Sequence, residues 1–523
     1  METPTPTSMQ HSEDEDEHVF LSKYPPVPVP DNLTLPEFVL QDAELYADNV
    51  AFVEAVSGES CTYGEVVRDT RRLAKALSSL GLRKGHVVLV LLPNVAEYGI
   101  VALGIMAAGG VFSGANRASH PSEIMKQANA ANAKLIVTNG PNYEKQPFIV
   151  LGEEHIECAT NWDELLEAGD RAGTDTRFMK EEVLQSDLCA LPFSSGTTGI
   201  SKGVMLIHRN LVANLCSSLF SVGPEMIVTT LGLIPFFHIY GIAGICCATL
   251  RNKGKVVVMN RFDLRTFLNA LITQEVTFAP IVPPIILALV KNLIVDEFDL
   301  SKLKLRAVMT AAAPLASELL ASFEIKFPGV QVQEAYGLTE RSCITLIHGD
   351  PVKGHHTAKK NSVGFILPNL ELKFINPDTG RSLLKNTPGE LCVRSQCVMQ
   401  EVTKRTRRRL IEPSTSMDGY IQVAPAELEA ILLTHSSVGD AAVVPLPDED
   451  VGEIPAACVM MNPNAKESER DIMDYVASNV AHYKKVRVLQ FVDTTPKSPS
   501  GKIMRRLLKD KMMEILGKNI SNT

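Results

Sequence analysis

The chain has 523 residues, 45% of them apolar, with 60 acidic and 51 basic side chains and a formal net charge of −9. A chain of this length is typical of roughly two to four domain-sized units and can bury a large core. The acidic balance argues against a nucleic-acid-binding protein and favours small-molecule ligands. The ten cysteines are scattered without a CxxC pair, which indicates reduced thiols.

The opening residues, METPTPTSMQHSEDEDEH, are acidic and lack an apolar stretch, so they predict neither a secretory signal nor a transit peptide. We expect residues 1–30 to be a disordered tail. The terminal NISNT carries no SKL-type peroxisomal signal. The apolar residues 231–250 include a proline, a histidine and a glycine, so they favour a buried strand and helix over a transmembrane span. We therefore expect a cytoplasmic protein, at most peripheral to the endoplasmic reticulum, and no feature indicates an oligomeric state.

Short apolar runs alternate with helical patterns along the chain, which is typical of an α/β fold with parallel sheets. The runs are residues 87–92, 111–114, 135–137, 188–191, 256–259, 276–280 and 307–309. Residues 94–108 predict an amphipathic helix. The expected units are a large N-terminal body of stacked α/β layers over 31–400, a shortened junction over 401–421, a small α+β C-terminal domain over 422–510 and a tail over 511–523.

A glycine-rich stretch, LPFSSGTTGISKGVMLIH, lies between two apolar segments and is a strong candidate for a ligand site. Its glycines let the backbone approach a ligand closely, and its hydroxyls suit phosphate oxygens. One lysine adds a compact positive charge. The stretch matches neither the Walker A nor the GxGxxG pattern, and the alternative is a surface linker. We favour a phosphate loop that contains Ser194, Ser195, Gly196, Thr197, Thr198, Gly199 and Lys202.

Three further stretches carry side chains suited to ligand chemistry, and each has an ordinary structural alternative. His238 ends an apolar strand in LGLIPFFHIYG, where a histidine is more often a core residue than a ligand contact. QEAYGLTE places Tyr336, Thr339 and Glu340 on a glycine-containing turn, where they could stack a base, bind a phosphate and hold Mg²⁺. PKSPSGKIMRRLLKDK carries Lys502 on a turn before a basic helix, which is also typical of a solvated cationic surface.

The motifs SSGTTGISKG, PFFHIYG, TAAAPL, AYGLTE, QVAPAELEAIL and PKSPSGKIMRR, in this order, resemble those of the adenylate-forming acyl- and aryl-CoA synthetases, the branch of 4-coumarate:CoA ligase and luciferase. The stretches QEAYGLTERSCITLIHGDP and NSVGFILPNLELKFI are most similar to plant fatty-acyl-CoA synthetases of pollen-wall (sporopollenin) lipid biosynthesis. The resemblance implies a ligase that uses ATP, Mg²⁺ and coenzyme A. It would convert a medium- or long-chain hydroxy fatty acid through an acyl-adenylate into an acyl-CoA, a reaction dominated by positioning and charge neutralisation.

The resemblance also assigns roles to the candidate residues. It implies that the glycine-rich stretch cradles the β- and γ-phosphates, that Thr339 meets the α-phosphate and that Glu340 holds Mg²⁺. Tyr336 would stack on adenine. The nucleotide site would further include Glu334, Ala335, Gly337 and Gln422. The acyl pocket would be bordered by His238, Tyr240, Ala312 and Ala335, with Arg261 on a coenzyme A phosphate and Lys502 bridging the carboxylate and the α-phosphate.

The chain departs from the family pattern between Gln400 and Gln422. Relatives carry there a TGD motif, whose aspartate binds both ribose hydroxyls, and a DRxKELIKYKG segment that forms the interdomain hinge. This chain has only EVTKRTRRRLIEPSTSMDGYI, which contains neither motif. We infer an internal deletion, from a splice form or a gene-model error, and expect thioester formation to suffer most. The alternatives are a hydroxycinnamate:CoA ligase and a non-catalytic binder of nucleotide or acyl group.

Overall fold

The computed structural model describes residues 18–119, 121–139, 148–150, 159–171, 182–194, 202–220, 227–311, 315, 317–347, 362–376, 379–387, 389–399, 401–402, 425–448, 452–463, 465–480, 485–497 and 503–520. The strands in chain order are β1 (Val19–Leu21), β2 (Val50–Glu54), β3 (Ser60–Thr62), β4 (Val87–Leu91), β5 (Val111–Gly114), β6 (Ala133–Thr138), β7 (Phe148–Val150), β8 (Ala159–Asn161), β9 (Leu188–Ala190), β10 (Phe193–Ser194), β11 (Lys202–Ile207), β12 (Thr229–Gly232), β13 (Lys255–Val258), β14 (Phe278–Ile281), β15 (Ala307–Thr310), β16 (Gln331–Leu338), β17 (Cys343–Ile347), β18 (Phe365–Ile366), β19 (Glu371–Ile375), β20 (Glu390–Arg394), β21 (Glu401–Val402), β22 (Val438–Asp448), β23 (Gly452–Met461) and β24 (Val488–Phe491).

The α-helices are α1 (Leu35–Val39), α2 (Tyr63–Ser79), α3 (Glu97–Ala107), α4 (Pro121–Ala131), α5 (Trp162–Arg171), α6 (His208–Leu219), α7 (Ala248–Arg251), α8 (Leu264–Thr273), α9 (Pro283–Lys291), α10 (Ser317–Lys326), α11 (Pro425–Thr434), α12 (Glu469–Asn479) and α13 (Arg505–Ile520). Short 3₁₀ turns cover Ala43–Tyr46, Leu293–Glu297, Leu300–Lys302 and Thr339–Arg341, and a π-helix covers Tyr240–Cys247.

Two large mixed sheets form the layers of the N-terminal body. The first has the strand order β10-β11-β9-β5-β4-β6-β7-β8, with β21 paired to β11, and the second has the order β18-β17-β16-β15-β14-β12-β13-β2-β3. Central strands are parallel in both sheets, and antiparallel strands lie at the β10 edge of the first sheet and at both edges of the second. Parallel neighbours need crossover connections, which is why apolar runs and helical patterns alternate in the sequence. The predicted α/β fold class is confirmed.

Helix α3 lies in the main core, to which both large sheets contribute side chains. The predicted amphipathic character is wrong, because Tyr98 to Met106 are all buried and protein covers every side of the helix. Gly104 permits the close approach of α2, since a Cβ there would lie 2.6 Å from Cδ2 of Leu73. A helix that is buried on all sides is apolar all round, so it lacks the polar face of an amphipathic helix.

The described N-terminal residues are part of the folded body from residue 18 onward. Strand β1 pairs antiparallel with β19. The backbone N–H of Val27 donates to Oδ1 of Asn369 at 3.0 Å, and the amide of Asn369 donates back to the Val27 carbonyl at 2.7 Å. The expectation of a disordered tail up to residue 30 is therefore wrong for residues 18–30. Residues 1–17 lie outside the described part of the chain.

The C-terminal domain is a three-stranded sheet of order β22-β23-β24 with α11, α12 and α13 packed on it. Helix α13 runs to Ile520 and buries Leu508 and Met512, so residues 511–520 continue the helix rather than form a tail. Within the described ranges of the whole chain, no helix has the length and apolar character needed to cross a membrane. Residues 231–250 instead form the end of β12, the π-helix and part of α7, as the expected strand and helix.

Candidate active site

Strand β16 and the 3₁₀ turn after it carry six of the candidate residues. Residues 334–337 belong to the strand, and Thr339 and Glu340 open the turn. The predicted glycine-containing turn is therefore wrong for Tyr336, because β17 pairs antiparallel with the end of β16 and extends the strand to Leu338, whereas Thr339 and Glu340 lie on the turn that follows. The pairing register shifts between Tyr336 and Gly337. Such an irregularity redirects the side chains at a strand end, where active-site residues often lie.

The glycine-rich stretch connects the two strands of a β-hairpin. Ser194 of β10 lies opposite Lys202 of β11, and Phe193 lies opposite Gly203. Lys202 thus begins a strand instead of lying within the loop. The connecting residues, which include Ser195, Gly196, Thr197, Thr198 and Gly199, fall outside the described residues. The two described ends of the stretch are thus held side by side as antiparallel strands.

Residues 399–402 link this hairpin to the 3₁₀ turn. The N–H of Met399 donates to the carbonyl of Glu340 at 2.8 Å, and the following β21 pairs with β11. The side-chain amide of Asn210 donates to the carbonyls of Gln396 and Val398, at 2.7 and 3.0 Å. Strand β11 also contacts the Thr339–Arg341 turn. The structure therefore brings the strand that begins with Lys202 together with the turn that carries Thr339 and Glu340.

His238 and Tyr240 lie at the start of the π-helix and not at a strand end as predicted. Strand β12 ends at Gly232, and Pro235 cannot donate to a strand ladder. Nδ1 of His238 accepts a hydrogen bond from the Tyr240 N–H at 3.2 Å, so a neutral imidazole carries its proton on Nε2. The Tyr240 hydroxyl donates to Sδ of Met309 at 3.1 Å. Both side chains are half-buried, and burial raises the pKa of the Tyr240 hydroxyl, which stays protonated at neutral pH.

An apolar cluster joins Tyr240 to β16. Ala335, Met309 and Cys343 are buried in it, and Tyr240 packs against it. This cluster brings together two of the residues expected at the acyl pocket. Arg261 is exposed beyond the end of β13, outside this cluster. Ala312, Gln422 and Lys502 lie outside the described part of the chain.

Sequence reasoning missed Asn94, which holds the segment leading to His238. Its side chain is buried directly after β4. The amide group donates to the carbonyls of Gly232 and Ile234, both at 3.1 Å, and Oδ1 accepts from the N–H of Phe236 at 2.8 Å. The Asn94 side chain, which follows a strand of the first sheet, thus forms hydrogen bonds with the irregular backbone that follows a strand of the second sheet. The available signal was an asparagine after a buried strand, where its amide can serve as both donor and acceptor.

Replacing this asparagine should destabilise the fold measurably. We expect Asn94→Ala to lower the free energy of unfolding by about 2 to 4 kcal/mol, because several buried backbone groups lose their partner. Asn94→Asp should cost more, because its carboxylate would face the carbonyls of Gly232 and Ile234. Urea denaturation measures both. The exposed Asn269→Ala is the control. Equal stability of the Asn94→Ala and Asn269→Ala proteins would contradict the assignment.

Comparison with known proteins places this site in a family. Residues 39–402 match the AMP-binding enzyme family, and residues 427–502 match the AMP-binding enzyme C-terminal domain. The chain is 68% identical to 4-coumarate–CoA ligase-like 1 of Arabidopsis thaliana over 538 aligned positions, which cover 96% of this chain and 98% of the relative. It is 58% identical to 4-coumarate–CoA ligase-like 9 of Oryza sativa subsp. japonica, with 97% of this chain and 98% of the relative covered.

Solved structures of other proteins share the fold of this chain. ATP-bound MatB from Rhodopseudomonas palustris superimposes with a TM-score of 0.76 at 22% identity, covering 92% of this chain and 100% of that one. The family match spans more than half of the chain, and both plant relatives are well above 30% identical over nearly their full length. The chain therefore belongs to the AMP-binding enzyme family and carries that family's C-terminal domain.

Proposed function

We propose that this chain is an ATP-dependent acid:CoA ligase that forms an acyl-adenylate and then an acyl-CoA. The meeting of the Thr339–Glu340 turn with the strand that begins at Lys202 is the observation that carries this proposal. A carboxylate oxygen of the acid attacks the α-phosphorus of ATP, and pyrophosphate leaves. The sulfur of coenzyme A then attacks the acyl carbon, AMP leaves, and the thiol proton passes to solvent. Both steps depend mainly on orientation and on charge neutralisation.

The described residues have chemistry that suits these steps. The proton on Nε2 of His238 can donate to an oxygen of the acid, and the Thr339 hydroxyl can donate to the α-phosphate. The Tyr336 ring offers a surface for adenine. For the parts of the site outside the described residues we keep the sequence assignments: Ser195 to Gly199 on the phosphates, Ala312 at the acyl pocket, Gln422 at the nucleotide and Lys502 at the reacting groups. Arg261 remains assigned to a coenzyme A phosphate.

Glu340 fits a magnesium ion that arrives with the triphosphate. The described residues contain no group of three His, Cys, Asp or Glu side chains placed to hold a metal. Mg²⁺ usually takes one or two protein carboxylates together with phosphate oxygens and waters, so a single half-buried carboxylate is an appropriate donor. When bound, the ion would neutralise the charge that develops on the phosphates.

For the acid we propose a medium- or long-chain hydroxy fatty acid, as in pollen-wall lipid synthesis. The apolar cluster of Tyr240, Met309, Ala335 and Cys343 supports an acid with a substantial apolar part. A hydroxycinnamate also fits an apolar surface with one phenol, and the names of both plant relatives refer to 4-coumarate. The hydroxycinnamate ligase is therefore the second candidate.

We also propose that the chain lacks an internal segment of its family. Alignment with the Arabidopsis relative spans 538 positions, yet 96% of 523 residues is only about 502, so about 36 aligned positions have no residue here. The two family matches end at residue 402 and resume at 427, which supports a gap at this junction. The missing ribose carboxylate favours a third candidate, a binder of nucleotide or acyl group without turnover.

Pyrophosphate release tests the function directly. We expect the chain to release pyrophosphate from MgATP when a hydroxylated dodecanoic acid is present, and to do so more slowly or not at all with 4-coumarate. A faster rate with 4-coumarate would support the hydroxycinnamate ligase. Binding of MgATP without pyrophosphate release from any acid would leave the non-catalytic binder as the better interpretation.

A further inference from the structure

Arg341 is a buried arginine at the edge of the candidate site. The residue is 1% exposed, and within the described part of the chain Nε, Nη1 and Nη2 have no hydrogen-bond partner. No carboxylate among the described residues forms an ion pair with it, and the titratable groups beside it are the thiols of Cys343 and Cys397. A guanidinium presents five donors and keeps its charge, so leaving it buried and unpaired costs the ligand-free protein free energy.

Hydrogen bonds hold the backbone on both sides of Arg341. The following Ser342 has a left-handed φ of 63°, its N–H donates to the Thr339 carbonyl at 3.0 Å, and its hydroxyl donates to the Cys397 carbonyl at 2.7 Å. The preceding Glu340 carbonyl accepts from Met399. The main chain of the turn is thus fixed on both sides of Arg341.

The surroundings of this guanidinium belong to the proposed ligand site. Glu340, the candidate metal ligand, precedes it directly. The sulfur of Cys343 lies at the apolar cluster, since a Cβ built on Gly244 would be 3.3 Å from that sulfur and 2.6 Å from the ring of Tyr240. Arg341 is thus the last residue of the turn expected to meet phosphate, and the neighbouring Cys343 belongs to the cluster expected to meet the acid.

We propose that Arg341 is an oxyanion-binding residue that pairs with a phosphate of the nucleotide or with the carboxylate of the acid when either enters the site. The planar fork of an arginine matches both groups through two parallel hydrogen bonds. This inference rests on the proposed function, because that function supplies both anions. The unpaired charge lowers the stability of the free protein and strengthens its binding of an anion.

The test compares the full-length wild type with Arg341→Met, Arg341→Lys and the exposed control Arg306→Met. Thermal unfolding is measured without ligand, and calorimetric titrations use MgATP, magnesium pyrophosphate, dodecanoate and dodecanol. We expect Arg341→Met to have a Tm at or above that of wild type and an affinity for at least one anion about 10- to 100-fold lower, the effect of one charge-assisted contact. Arg341→Lys should recover part of that affinity, because it keeps the charge without the fork.

The outcomes show which anion Arg341 binds and distinguish a failure of this proposal from a failure of the proposed ligase function. Weaker binding of MgATP and pyrophosphate alone identifies a nucleotide phosphate, and weaker binding of dodecanoate but not dodecanol identifies the acid. A Tm of Arg341→Met well below that of wild type overturns the proposal, since it means that the guanidinium already has a structural partner. Unchanged affinity for every anion also overturns it while leaving the ligase function intact. Failure of the wild type to bind any of these probes removes both proposals.

Discussion

Restoring the family's hinge segment between Gly419 and Gln422 should raise acyl-CoA formation by at least about 100-fold over the chain as it stands. The inserted sequence would be the one that the Arabidopsis relative carries at this position. It would return a carboxylate for the two ribose hydroxyls, a buried charge-assisted pair in which each bond contributes about 1.5 to 3 kcal/mol. It would also return the pivot that lets the C-terminal domain change its pose between the two steps.

Adenylation needs only one arrangement of the two domains, so we expect pyrophosphate release to differ less between the two proteins than thioester formation. Both products are measured side by side from MgATP, coenzyme A and a hydroxylated dodecanoic acid. A restored protein with its ribose aspartate changed to alanine separates the lost contact from the lost pivot. Equal rates of acyl-CoA formation with and without the insertion would show that the segment is dispensable. If neither protein releases pyrophosphate with any acid, the substrate assignment is wrong as well.

Lys202→Ala should weaken MgATP binding by about 10- to 100-fold, because the lysine at the start of β11 is proposed to supply a full charge to the polyphosphate. Glu340→Gln should weaken binding of MgATP and leave binding of metal-free ATP nearly unchanged, since its carboxylate is expected to act through the ion. Isothermal titration with MgATP, and with ATP plus a chelator, distinguishes the two effects.

Lys134→Ala is the matched control for Lys202→Ala. Lys134 is an exposed lysine on β6 of the same sheet, and its ammonium group donates to Asn132 at 3.1 Å. This variant should bind MgATP like wild type. Equal MgATP affinity of Lys202→Ala and wild type would remove the hairpin from the nucleotide site. Loss of metal-free ATP binding in Glu340→Gln would mean that Glu340 shapes the turn rather than holds the ion.

The sequence was a good guide to the parts of the fold in which local pattern and burial agree. The predicted strand at residues 111–114 is confirmed with its bounds, and the strand at residues 87–92 differs by one residue. Runs of apolar, often β-branched residues that are bounded by turn-forming residues predict parallel strands that are buried on both faces. The α/β class and the small C-terminal sheet followed from this alternation.

The errors arose where tertiary partners decide the local structure. Strand β16 continues through the glycine of AYGLTE because β17 pairs with it, and a strand partner cannot be read from one segment alone. Helix α3 has no polar face because two layers cover it. The partners of Asn94 are backbone groups far away in the sequence, so its position after a buried strand indicated a donor and acceptor but not what it binds. The proposed role of Arg341 depends on ligands, so no local pattern pointed to it.

The shortened junction has a further consequence for how the two domains can cooperate. Between Val402, which β21 fixes to the hairpin strand, and Pro425, which begins α11, lie 22 residues. Fully extended, that length spans at most about 75 Å. If the proposed deletion has removed the family's pivot, the connection would still hold the attached domain at an effective concentration on the order of millimolar. Encounters between Lys502 and the site would then follow the statistics of a tether, with a rate set by its length rather than by a guided rotation.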